Sequence, residues 1–245
     1  MQDPTLRPSE ENAPQLVEKA STELPSFARL MLRLPLGLLF YGLLLFLPAG
    51  TWRWTSGWML LGAFFIPTLL ISPYLYFKHP ALMARRLKMR EREGTQKGVM
   101  AAMAVFWLGA MVLGGLDFRY GWSQVPFPLI VAGNLTVLFS YVAVFWVFVV
   151  NEFAARTIEV EQEQKVISTG PYAVVRHPMY SFLLTLAIGL PVGLGSWWAL
   201  LFLAPTMPLV LAVRLLNEEK ILRRDLEGYN EYCEKVRFRL IPYVW

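Results

Sequence analysis

The chain is poor in the residues that build most small catalytic and redox sites. Among 245 residues there is one cysteine, Cys233, and there are two histidines, His79 and His177. A single thiol excludes an internal disulfide, and so few soft ligands leave no Cys/His set at the spacing a zinc site needs. Charged residues make up only 17% of the chain. The lysines and arginines behind the net charge of +5 sit in the connections between apolar runs, as anionic membrane surfaces favour, so nucleic-acid binding is rejected. The start of the chain lacks the basic n-region and short apolar core of a cleaved signal peptide. No internal repeat of fixed period and no Gly/Ser-rich linker divides the chain.

What is present is apolar. Hydrophobic residues are 56% of the chain, aromatics 14%, and the mean hydropathy is +0.43. Those values mark an integral membrane protein. Apolar runs fall at about 34–47, 57–77, 99–116, 126–150, 180–190 and 197–213, against the roughly 20 residues that a spanning helix needs. The second to fourth qualify on length. The first qualifies if residues 30–32 are added and Arg33 snorkels, and the fifth is too short to cross upright. The expected fold is an all-α bundle of about five to six transmembrane helices, the last two forming a hairpin, followed by a cytosolic C-terminal helix. Residues 1–28 read as a disordered tail, 29–150 as four transmembrane helices, and 151–245 as a ligand-binding loop, the hairpin and a catalytic C-terminal segment.

The breaker-rich link 191–196 reads as the hairpin tip. The GLPVGLG run at 189–195 resembles a nucleotide loop only superficially, since no strand precedes it. Trp52, Trp54, Trp58, Trp197 and Trp198 resemble interfacial anchors. The second connection holds Lys78, Arg85, Arg86, Lys88, Arg90, Arg92 and Lys97, whereas the first and third hold Arg53 and Arg119. The positive-inside bias then puts the amino terminus in the cytosol. By parity, residues 151–179 and the tail from 214 share that face. Residues 218–232 read as one helix continuing the last span, with Gly228 a bend or stop and Pro242 ending regular structure.

The polar residues of these two segments are the candidate site. Arg176-His177-Pro178 stands where a loop meets a membrane helix, and Pro178 suits the first helical turn. Alone, Arg176 reads as a positive-inside anchor and His177 as an interfacial cap; His79, before Pro80, is taken as structural. Gly170-Pro171-Tyr172 alone is a turn. Arg214 closes an apolar run, so a carboxylate partner four residues on at Glu218, or an anionic ligand, gains value from desolvation there.

Taken together, the QKVISTGPY run at 164–172, the RHPMY run at 176–180 and Arg214-x-x-x-Glu218-Glu219-x-x-Leu222 resemble the isoprenylcysteine carboxyl methyltransferase and phospholipid methyltransferase superfamily. Tyr229, Tyr232 and the RLIP run at 239–242 look like that superfamily's tail, so the resemblance covers about residues 151–242. It implies a membrane enzyme that uses S-adenosylmethionine and a lipophilic acceptor. The positions matching its cofactor contacts are Gln164, Lys165, Val166, Ile167, Tyr172, His177, Pro178, Met179, Tyr180 and Glu218. Arg214 matches the residue facing the acceptor, and Glu219 is expected to support the site. The superfamily often continues Arg-His-Pro-x-Tyr-x-Gly, whereas this chain has Phe182, which predicts a reshaped cofactor pocket or lipid-side entrance.

If the acceptor is a carboxylate, Arg214 orients it and no general base is needed; this reading is favoured. A phospholipid amine is the alternative, and it requires a carboxylate base. Sterol reductase-like enzymes share a related Arg-His-Pro-x-Tyr stretch but use NADPH. A transporter or scaffold is a further alternative, opposed by spans nearly free of charge at their centres.

Overall fold

The computed structural model describes residues 26–87, 94–151, 153 and 164–245. The expected tail therefore lies almost wholly outside the described residues, as do Lys88, Arg90 and Arg92 of the basic connection and residues 154–163 of the proposed ligand-binding segment. The described chain is all helical. Its elements are α1 (Phe27–Ala49), α2 (Thr55–Lys78), α3 (Pro80–Leu87), α4 (Gly94–Tyr120), α5 (Phe127–Val150), a 3-10 turn (Gly170–Ala173), α6 (Pro178–Leu194), α7 (Trp197–Asp225) and α8 (Tyr229–Lys235). Five helices, α1, α2, α4, α5 and α7, are long and apolar enough to cross a membrane. Helix α6 has 17 residues, about 25 Å of helix, less than a typical hydrocarbon core.

Packing follows the chemistry of lipid. Helix α6 is central, touching α5, α7, α2 and α4, while α1 bridges α2 and α4 on the far side. Leu190, Leu194, Leu203, Leu211 and Leu215 are sealed along the α6 and α7 contact, and Leu36, Ile66, Leu70 and Leu209 lie on outward faces. Such outward leucines are expected where lipid is the solvent. Helix α5 meets α6 at backbone distance: a Cβ added to Gly133 would lie 2.4 Å from the Gly193 amide nitrogen. Asn134 ties this crossing, its Nδ2 donating to the Gly193 carbonyl at 2.9 Å.

Several boundaries differ from the sequence reading. Helix α1 runs through Pro35 and Pro48, and α2 through Pro67 and Pro73, so prolines do not end spans here. Membrane helices keep such residues because neighbouring groups satisfy the freed carbonyls. The hairpin tip is shorter than 191–196. Pro191 belongs to α6, and the turn is Gly195–Ser196, closed by Ser196 N–H to the Pro191 carbonyl and Gly195 N–H to the Val192 carbonyl. The expected helix 218–232 is two helices, because Gly228 takes φ +79° and turns α8 away from α7. A side chain would resist that left-handed conformation.

The end of the bundle at the α6–α7 turn is pinned by Asp117, which is 1% exposed. Its Oδ1 accepts from the Ser123 amide at 2.7 Å, and its Oδ2 from the Ser123 hydroxyl at 2.6 Å and from the Ser196 hydroxyl. Ser196 Oγ in turn caps α7 by accepting from the Ala199 amide at 2.9 Å. One carboxylate thus joins α4, the α4–α5 connection and the hairpin turn.

Candidate active site

The loop from Gly170 to His177 meets the cytosol-expected end of α7 and the C-terminal tail in a single polar cluster. Its backbone is held from outside: the Arg176 amide donates to the Phe238 carbonyl at 2.9 Å and the His177 amide to the Arg239 carbonyl at 3.0 Å. Ser181 Oγ donates to the Leu240 carbonyl at 2.6 Å, and the Tyr232 hydroxyl to the Tyr172 carbonyl at 2.7 Å. The tail after α8 therefore acts as a clasp on the loop and the first turn of α6.

Glu219 is the inner carboxylate. Arg176 Nη1 lies 2.8 Å from its Oε1, Arg239 Nε donates to Oε2 at 2.9 Å, and His177 Nε2 stands 3.4 Å from Oε1. Arg176 also donates through Nη2 to the Arg237 carbonyl at 3.0 Å and through Nη1 to Cys233 Sγ at 3.3 Å. Taken alone Arg176 reads as a positive-inside anchor, but its guanidinium is engaged inside the cluster. It is buried, with Nη1 and Nη2 meeting acceptors on α7, on α8 and just beyond it while Nε finds none among the described residues, which a sequence pattern cannot show. Arg239 was visible in the tail match, yet no local signal gave its partner.

Glu218 is the outer carboxylate, its side chain 24% exposed against 5% for Glu219. A third residue, Tyr180, bonds both members of the expected Arg214–Glu218 pair. Arg214 Nε donates to the Tyr180 hydroxyl at 2.9 Å, and that hydroxyl donates to Glu218 Oε2 at 2.5 Å. Glu218 Oε1 lies 3.9 Å from His177 Nδ1, and the His177 and Tyr180 rings stack with centroids 5.8 Å apart. Tyr172 stands close enough for Glu218 to act on it. Burial chiefly, opposed by a hydrogen bond with Asn151, pushes the Tyr172 hydroxyl up to about 12. Burial also raises Tyr232 and Tyr229.

Four of the ten implied cofactor residues meet here. His177, Tyr180, Tyr172 and Glu218 share the cluster, and Val166 packs on the neighbouring patch of Leu222, Leu226 and Tyr229. Pro178 is buried at the start of α6, Gln164 and Ile167 are half-buried, and Lys165 is exposed. Met179 packs on two sides, against the core cluster that contains Tyr180 and against the apolar wall of Leu30, Leu75, Leu82, Met83 and Phe148. Phe182 points elsewhere: its ring meets Phe139 of α5 edge to face, with centroids 6.0 Å apart. The bulk at the superfamily's usual glycine position is taken up between α5 and α6.

A partly open carboxylate beside two stacked rings, next to a buried guanidinium, can hold a cation and an anion side by side. Among the described residues no group of three or more His, Cys, Asp or Glu side chains is placed to hold a metal ion.

Residues 128–227 match the sequence model of the phospholipid methyltransferase family, a stretch that contains α6, Arg214 and both glutamates. A Delta(14)-sterol reductase of Mus musculus is 29% identical over 91 residues, 36% of this chain. The chain spans about a fifth of that relative, 22% of its length. A solved structure of the eukaryotic intramembrane Ras methyltransferase, isoprenylcysteine carboxyl methyltransferase, superposes with a TM-score of 0.45 at 15% identity, covering 98% of this chain and 99% of that one. The segment carrying Arg176-His177-Pro178, Arg214, Glu218 and Glu219 is thus similar to the phospholipid methyltransferase family.

Proposed function

We propose that this membrane methyltransferase uses S-adenosylmethionine to methylate the carboxylate of a lipophilic, isoprenylcysteine-like acceptor. The observation that carries the reading is the pairing of Glu218, the open carboxylate, with buried Arg214 through one tyrosine hydroxyl. When bound, the cofactor supplies a methyl group already activated by a positively charged sulfur. The chain then has to hold that cation, orient an anion against it and keep water out.

The donor set fits such a cation. Glu218 provides negative charge, with Tyr172, His177 and Tyr180 as walls and Val166 on the adjoining patch. Arg214, 4% exposed at the end of the apolar part of α7, suits the carboxylate of an acceptor arriving from the bilayer. An ionised carboxylate has no proton to lose, so no residue must serve as base. We further propose that this face, and the amino terminus, are cytosolic, as the basic second connection favours.

The family's name supports a second acceptor, a phospholipid amine, for which Glu218 or Glu219 must take up a proton. Glu219 is engaged by two arginines, which disfavours it as that base. The direct test is calorimetry of S-adenosylmethionine with protein in nanodiscs. Binding by the wild type, weakened tenfold or more by His177→Ala and by Glu218→Ala, is expected. Absence of binding by the wild type in nanodiscs and in several detergents rejects the reading.

A further inference from the structure

The cofactor contacts implied by resemblance include Tyr180, but in this chain its hydroxyl is already committed on both sides. Arg214 Nε can only donate, and it donates to the Tyr180 oxygen at 2.9 Å. The single phenolic proton is then directed to Glu218 Oε2, 2.5 Å away. Glu218 Oε2 accepts this hydrogen bond, so one oxygen of the carboxylate is tied down. The other, Oε1, stands on the His177 side at 3.9 Å from Nδ1. The ring that delivers the hydroxyl cannot easily swing away. Tyr180 is 3% exposed, stacked at 17° on His177 and packed in the core cluster with Leu211, Leu215 and Leu240.

We propose that Tyr180 is a positioning residue that aims the Glu218 carboxylate at a cationic ligand, so that the site discriminates a sulfonium donor from its neutral thioether product. The proposal rests on the reading that Glu218 faces S-adenosylmethionine. Its physical basis is that a charge–charge contact depends on where the carboxylate oxygen is held. An untethered glutamate, 24% exposed, would spread over several rotamers and solvate instead. The two ligands differ by one methyl group and one positive charge at sulfur, so the aim of Glu218 acts on one and barely on the other. After transfer the same tether gives the neutral product no comparable hold, which favours its release.

Tyr180→Phe keeps the ring and its stacking and removes only the hydroxyl. Affinities for S-adenosylmethionine and for S-adenosylhomocysteine, without acceptor, are measured by calorimetry for wild type, Tyr180→Phe, Glu218→Gln and the double variant in nanodiscs. The expected result is that Tyr180→Phe lowers the ratio of the two affinities about tenfold, the scale of one hydrogen bond to a charged group. Glu218→Gln should lower the ratio at least as far, and Tyr180→Phe should add nothing in that background. Equal weakening of both ligands, which a merely structural tyrosine would give, overturns the proposal, as does a Tyr180 effect that persists without the Glu218 charge. Should Tyr180→Phe not fold, Arg214→Lys keeps the charge but withdraws the Nε donor that sets the hydroxyl's direction. A ratio unchanged in that variant overturns the proposal equally. If the wild type binds neither ligand, the cofactor reading fails and this proposal with it; if it binds both and the ratio does not respond, only this proposal fails.

Discussion

Glu219 concentrates more interactions than any other carboxylate of the cluster, and its neighbours show what its removal would cost. Arg176 is buried with it, whereas Arg239 keeps 29% of its side chain exposed. Glu219→Gln leaves the Arg176 charge without its counter-ion in a dry site, so a loss of about 3–5 kcal/mol in stability is predicted. Arg239→Ala should cost about 1 kcal/mol, since the partner it leaves is still paired. Thermal unfolding in one detergent orders the two variants. Tyr172 gives a pH signature. Its hydroxyl is raised from 10.0 to about 12, so between those values the folded state holds a proton that the unfolded chain has lost. Stability contributed by that group is full below pH 10 and disappears as pH rises towards 12. Tyr172→Phe should therefore flatten part of the alkaline loss of stability, measured as melting temperature against pH. Charge parity and the family motifs named His177, Arg214 and Glu218 together as candidates, and the three share one cluster. The partners were not legible: Arg176 finds Glu219 and Cys233 from 43 and 57 positions away, and nothing local encodes that.

Among the elements, helix existence was easier to read than helix ends. Runs of apolar residues marked every long span, because lipid demands them. The ends depended on capping contacts: Pro191 was taken as a breaker but sits within α6, where the turn bonds of Gly195 and Ser196 close the helix beyond it. The short helix α3 carried no length signal, and it docks through Leu82 and Met83. Asp117 is a buried carboxylate near the end of a span and fastens the hairpin turn from outside the candidate site. Asp117→Ala strands the Ser196 hydroxyl and the Ser123 amide and hydroxyl, each a donor whose loss of partner costs about 1–3 kcal/mol when buried. The predicted outcome is a clear drop in melting temperature, with cofactor affinity of the folded protein unchanged within about twofold. A large affinity change at unchanged stability would contradict the separation of the two ends.

At the scale of the whole molecule, the bundle divides labour between solvents. Central α6 delivers Tyr180, α7 carries Arg214 and Glu218, and the C-terminal clasp fixes the loop beside them. On the proposed function, a water-soluble donor and a lipophilic acceptor meet at this cluster. Charge parity anticipated that loop and tail share a face, and the backbone bonds between 176–177 and 238–239 join them. The acceptor's identity was not legible, because Arg214 offers the same fork to a carboxylate or a phosphate. The most direct measurement is transfer of a labelled methyl group from S-adenosylmethionine to a farnesylated N-acetylcysteine and to a membrane lipid extract, followed by mild alkali. A methyl ester is predicted: label that alkali releases as methanol, formed by the wild type and lost in Arg214→Ala. Alkali-stable label on a headgroup amine, or no label in either acceptor, would contradict the carboxylate account.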